Sequence, residues 1–179
     1  STAYSTSVAS GLVLPGDRAA DVVAFERATV DFFVNAAELL GVPKSVAAIY
    51  GVVFASPRPL SFADIEARLD ISKGSVSQGL KILKEVGALK EVSRAADRAE
   101  LFTPDLEMRK LIGRFLENRL QKQLDAGSHR LTALSKCIPG GRGSEATVLR
   151  DRLRAMQTWH NKARSLLPLA RTFLSLSKS

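Results

Sequence analysis

The stretch Ile71-Ser-Lys-Gly-Ser-Val-Ser-Gln-Gly-Leu-Lys-Ile-Leu-Lys-Glu-Val86 decides how the rest of the chain is read. Val76, Leu80, Leu83 and Val86 recur at steps of four, three and three, the period of one apolar helical face. Ser72 has the side chain of an N-cap, and Gly87 stands where a helix stops. The spacing predicts a helix over 73–86. Its start has an odd composition. Ser72, Lys73, Gly74, Ser75, Ser77 and Gln78 are small, polar or cationic, and several are poor helix formers. A helix that only packs on a core is better served there by Ala, Glu and Leu.

Working outward, Ser61-Phe-Ala-Asp64 has the form of a capping box, with Asp in place of the usual Glu, ahead of Ile65 and Leu69. It predicts a short helix over 61–69, with Asp70-Ile71 as the turn. On the other side, Ala88–Val92 and Ala99–Thr103 are short β signals around the polar stretch Ser93-Arg-Ala-Ala-Asp-Arg98. They predict a two-stranded hairpin with a basic tip. Helix, turn, helix, hairpin is the order of a winged helix-turn-helix.

The flanks read as helices. Apolar residues recur at helical spacing from Val22 to Leu40, with Asp21 as cap, Gly41 and Pro43 as stop, and Val22, Phe25, Phe32, Phe33, Ala36, Leu39 and Leu40 as the stripe. A second helix spans about 44–55 and ends at Pro57-Arg-Pro59. Thr103 as cap and Pro104 as first residue predict a long helix from 104 to about 136. Ile138-Pro-Gly-Gly-Arg-Gly-Ser144 is a break, and a last helix runs from about 144 to 176. Pro168 is expected to kink or divide it, with Ser165 as a new cap. The expected fold class is mainly α with a small β-hairpin wing: a winged helix-turn-helix plus long dimerisation helices. The expected organisation is a loose N-terminal arm at 1–20, a DNA-binding domain at 21–103, and a helical dimerisation and effector region at 104–179.

The first turn of the 73–86 helix has a chemical reading. A major groove about 12 Å wide admits one α-helix. With Val76, Leu80 and Leu83 facing inward, Lys73, Gly74, Ser75, Ser77, Gln78 and Lys81 lie outside. Gln78 can form paired hydrogen bonds with an adenine edge, and lysine can donate to guanine. Lys73, Ser75, Ser77 and Lys81 suit phosphates, helped by the positive end of the helix. Gly74 and Gly79 permit close approach. Ser61 and Ser72, at the starts of the two short helices, join the DNA-binding set. Arg94 and Arg98, at the hairpin tip, can reach the neighbouring minor groove or its phosphates. The partner read from these residues is double-stranded DNA.

Composition limits the other classes. The chain has 179 residues, 45% hydrophobic and 25% charged, which is ordinary globular material. No apolar run reaches the ~20 residues of a membrane span, so no membrane partner is expected. The first residues do not read as a secretory signal. The one cysteine, Cys137, excludes an internal disulfide and fits a reducing cytosol. Net charge is +8, unevenly placed: residues 44–103 carry nine basic and seven acidic side chains, residues 104–179 fifteen and six. The charge therefore permits an acidic partner without pointing to the 73–86 helix. Catalysis finds no support, because there is no phosphate loop and no nucleophile motif. No metal and no cofactor are expected, since His129 and His160 fall in different helices.

Four segments resemble the GbsR-like branch of the MarR family of winged helix-turn-helix transcriptional regulators. They are Leu40-Gly-Val-Pro-Lys-Ser45 leading into Val46-Ala-Ala-Ile-Tyr50, then Pro59-Leu-Ser-Phe-Ala-Asp-Ile65, Ile71-Ser-Lys-Gly-Ser-Val-Ser77, and Ala96-Asp-Arg-Ala-Glu-Leu-Phe102. The resemblance covers Phe33 to about Asp125. It implies a cytosolic, nucleoid-associated homodimer that binds a near-palindromic operator and represses. Some relatives respond to choline-type effectors, which would call for an aromatic cage; aromatic residues make up 6% here.

A small-molecule effector is expected near Tyr50, Phe54, Phe115, Trp159 and His160. For His160 and Cys137 a satisfied imidazole and an inert thiol are the plainer readings. The competing functions are a nucleic-acid-associated interaction module without operator specificity, and a dimerisation module that binds no DNA.

Overall fold

The computed structural model describes residues 10–93, 99–138 and 140–176. The chain divides into two units, Ser1–Leu111 and Ile112–Ser179.

The first unit is built around one helix. After a 3-10 turn at Ser10–Leu12 come α1 (Ala20–Leu40) and α2 (Lys44–Ala55). Every residue of α2 from Val46 to Val53 is buried. Its sequence is apolar on all sides, so it has no face to offer water and becomes the centre of the core. Around it pack α1, α3 (Phe62–Arg68) and α4 (Lys73–Glu85). Two approaches need glycine. A Cβ on Gly51 of α2 would lie 2.9 Å from Val30 Cα of α1, and one on Gly79 of α4 would lie 2.4 Å from Ile49 Cδ1 of α2. Gly79 therefore serves the core, while Gly74, with nothing within 4 Å of its Cβ position, is the glycine that faces outward.

The three strands are β1 (Leu60–Ser61), β2 (Leu89–Ser93) and β3 (Glu100–Pro104), in the order β1-β3-β2, all antiparallel. Leu60 pairs with Phe102, and Val92 with Leu101. Leu60, Leu89 and Phe102 turn inward to the same core as α2.

Several expectations are corrected. Thr103 and Pro104 do not open a helix; they close β3, and α5 (Met108–Cys137) begins four residues later. Pro104 lacks an N–H, but β1 no longer reaches that register, so no ladder bond on that side is lost. On α1 the buried residues are Val23, Glu26, Val30, Phe33, Val34 and Ala37, while Val22, Phe25, Phe32 and Leu39 are exposed. The helix has two apolar faces, and of the expected stripe only Phe33 is buried. Its cap is Ala19 without a side-chain bond, not Asp21. The supposed loose arm is in part docked. Val13 is 1% exposed and bridges Leu69, although residues 1–9 lie outside the described set.

The second unit holds most of α5 and all of α6 (Ser144–Leu176). Arg171 Nε meets Glu117 at 2.6 Å, and Arg164 Nη1 donates to Ser128 Oγ at 3.2 Å. Partner numbers rise on α5 as they fall on α6, so the two helices run antiparallel. Leu153, His160 and Leu167 face inward, whereas Leu149, Met156, Trp159, Leu166 and Phe173 are exposed. Pro168 does not divide α6. The helix continues to Leu176, and Ser165 Oγ donates to Asn161 carbonyl within it rather than capping a new start. Among the described residues no helix is long and apolar enough to cross a membrane.

Candidate nucleic-acid interface

Each helix of the α3–α4 pair starts on a side-chain cap. Ser61 Oγ accepts from Asp64 N–H at 3.1 Å, and the Asp64 carboxylate accepts from Ser61 N–H at 3.0 Å. That box holds the Asp64 carboxyl below its usual range, first through the Ser61 backbone bond and further through the Ser61 hydroxyl and Arg68. Ser72 Oγ accepts from Ser75 N–H at 3.1 Å and donates to Ser75 Oγ at 2.8 Å. Both hydroxyls shape helix starts, and Ser75 is drawn half inward.

The outward part of α4 is then defined. Ser72, Lys73, Gly74, Ser77, Gln78 and Lys81 are exposed, while Val76, Gly79, Leu80 and Leu83 are buried. Lys73 and Lys81 make no ion pair among the described residues. Farther along, Lys84 is engaged, 3.6 Å from Glu91 and over the Phe102 ring at 5.8 Å, which fastens the end of α4 to the hairpin. Lys90 is likewise engaged, 3.7 Å from Asp105. Lys73 at the start of α4 and Lys81 in its third turn are thus without an ion pair among the described residues, while Lys84 at its far end and Lys90 on β2 are engaged. The hairpin tip with Arg94 and Arg98 lies outside the described residues.

No family model matches the chain, and no curated protein matches it. A solved structure described as a transcriptional regulator is similar to it: 18% identical, covering 83% of this chain and 96% of that one, with a TM-score of 0.47.

The residues expected at an effector site fall in both units. Tyr50 is buried in the first, its ring 4.9 Å from Phe33 and 6.0 Å from Phe54, and its hydroxyl donates to Asp105 carbonyl at 3.0 Å. Burial, and then the Asp105 charge, push its phenol up to about 12. In the second unit Phe115 is half-buried and Trp159 is 71% exposed, with Lys162 Nζ 4.9 Å from its ring. His160 packs on Gly127 and lies 3.0 Å from Ser128 Oγ. Among the described residues no group of His, Cys, Asp and Glu is set to hold a metal.

One cluster escaped sequence reading. Glu26, 1% exposed, joins Arg18 at 2.6 Å and Arg68 at 2.9 Å. Its signal lay in the steps Val23, Glu26, Val30, Phe33, Ala37, which place a carboxylate on an otherwise apolar face.

Proposed function

We propose that this chain is a winged-helix transcriptional regulator of the GbsR-like branch of the MarR family, which represses by binding an operator as a homodimer. The first turn of α4 carries the reading. It is capped and small, and together with the next two turns it presents Lys73, Gly74, Ser77, Gln78 and Lys81, with no ion pair among the described residues, on a helix backed by the core. Those groups suit the major groove: Gln78 reads a base edge, and the lysines with the helix N-terminus take phosphates. Ser61 and Ser75 add hydroxyls at the rim, and Arg94 and Arg98 follow the flank.

Exposed apolar residues support the dimer. Val22, Phe25, Phe32, Ala36 and Leu39 on α1, and Leu149, Met156, Trp159, Leu166 and Phe173 on α6, follow heptad spacing. α1 carries four acidic side chains and one basic, whereas α6 carries two acidic and six basic. Like helices would repel, so α1 of one copy is suited to α6 of its partner. Recognition helices about 34 Å apart would then meet successive turns of one DNA face. A small-molecule effector is proposed to act through Tyr50 and Phe54 in the first unit or through Phe115, Trp159 and His160 in the second, tested by thermal shift across a metabolite panel.

Fluorescence anisotropy against operator and scrambled duplexes, across a salt series, tests the main reading. We expect a preference of about 10³-fold or more and a steep salt slope. Gln78→Ala should relax preference at one base pair by about 1–3 kcal/mol, and Arg98→Ala should weaken all duplexes alike. The second unit, with thirteen basic and four acidic side chains, favours a second reading, a module that holds nucleic acid without operator specificity. Equal affinity for all duplexes would select it.

A further inference from the structure

Residues 10–18 form a strap tied to the turn that precedes α4. Leu14 N–H donates to Arg68 carbonyl at 2.9 Å, and Asp70 N–H donates to Leu12 carbonyl at 2.8 Å. Between these bonds Val13 and Leu69 bridge, each 1% exposed. Side chains repeat the link. The Glu26 carboxylate accepts from Arg18 Nη2 on one oxygen and from Arg68 Nη1 on the other. Arg18 also donates to Leu14 carbonyl at 2.8 Å, and Arg27 to Val13 carbonyl at 3.3 Å. Arg68 ends α3, four residues before the Ser72 cap. One carboxylate therefore joins the strap, α1 and the helix pair.

Such a trio is a poor way to fill a core for stability alone. Removing charges from water costs much of what their attraction returns, and apolar side chains of similar volume often do as well. Arg18 Nε is moreover buried without an acceptor among the described residues. What apolar replacements lack is direction. Two guanidinium groups on two oxygens of one buried carboxylate admit few geometries.

We infer that Glu26, Arg18 and Arg68 are positioning residues. They fix the strap on the 69–72 turn and thereby set the pose of the first turn of α4. The consequence for DNA binding rests on the function proposed above; the consequence for the pose of α4 does not. None of the three touches DNA in this scheme; they act through Ser72 and the turn that follows it.

Three variants test this. Arg18→Gln removes the outermost member and keeps the Glu26–Arg68 pair. Arg18→Lys restores a cation. The triple change Arg18→Met, Glu26→Leu, Arg68→Met removes every charge at once. Amide hydrogen exchange, duplex affinity and thermal unfolding are measured on each. In Arg18→Gln the Asp70 and Ser75 amides should exchange about tenfold faster or more, while the Ile49 and Val52 amides in α2 keep their rates. Duplex affinity should fall about tenfold, with most of it recovered in Arg18→Lys. The triple variant should unfold at the wild-type temperature yet show the same loss. Unchanged exchange at Ser75 in Arg18→Gln, or wild-type affinity in a folded triple variant, overturns the inference. A triple variant that does not fold leaves the decision to Arg18→Gln. If the wild-type chain binds no duplex, the proposed function falls and exchange at Ser75 alone decides the positioning claim.

Discussion

Gly74→Ala separates folding from function at the proposed interface. Gly74 is the second residue of α4, helical and exposed, and a Cβ built there meets nothing within 4 Å. The folded chain thus has no steric objection to alanine. Alanine also has less backbone freedom to lose on folding, which should stabilise the helix by about 0.5–1 kcal/mol. In the 111-residue first unit that corresponds to a rise of about 2–6 °C in the unfolding midpoint. Only an external partner can meet the new methyl group. If the first turn of α4 approaches a DNA backbone, the methyl holds it off, and affinity should fall about tenfold, or 1.4 kcal/mol. Calorimetry and fluorescence anisotropy on the same sample read both numbers. A variant that melts higher and binds as well as wild type removes α4 from the groove. A variant that melts lower shows that the space around Gly74 is not open.

Three further predictions follow the same logic. Gly51→Ala should destabilise the first unit by about 1–2 kcal/mol in urea, because its Cβ would press on the Val30 backbone at 2.9 Å and overpacking outweighs the helix gain; an unchanged midpoint would refute this. Tyr50 has a phenol raised to about 12 against an unfolded value of 10.0, so its contribution to stability is complete below pH 10 and is lost as pH rises toward 12. Tyr50→Phe should flatten the stability profile in that window, and an equally steep profile would show that another group titrates there. Phe32→Glu, at an exposed heptad position of α1, should give a monomer by light scattering at micromolar concentration if α1 forms the dimer contact; a wild-type monomer would sink the dimer proposal itself.

What was legible in the sequence was local. The 44–55 helix appears with the expected bounds because an apolar run closed by Pro57 needs no distant information. α4, its Ser72 cap and the Ser61–Asp64 box were legible for the same reason: a cap and an apolar period are set within a few residues. So were the hairpin strands, each recognised by its own short apolar run. Misreadings began where two signals competed. Pro104 suits a helix start as well as a strand end, and only its pairing with Leu89 settles which it takes. α1 offers two apolar faces, and only the position of α2 selects Val23, Val30 and Phe33 over Phe25 and Phe32.

By itself, then, the sequence determined α2, α3 and α4, the Ser61 and Ser72 caps and the outward character of the first turn of α4, because these depend on neighbours within about one or two helical turns. The tertiary structure decided the rest. β1 is two residues long and exists only because β3 lies beside it. Gly79 looks like a second point of approach for a ligand, yet it is held by Ile49 of α2. Glu26 meets Arg68 across 42 positions of sequence, and no local pattern encodes that meeting. Burial turns this carboxylate on an apolar helix face into the tie between strap, α1 and helix pair, because a charge taken out of water must find its partners wherever the fold places them.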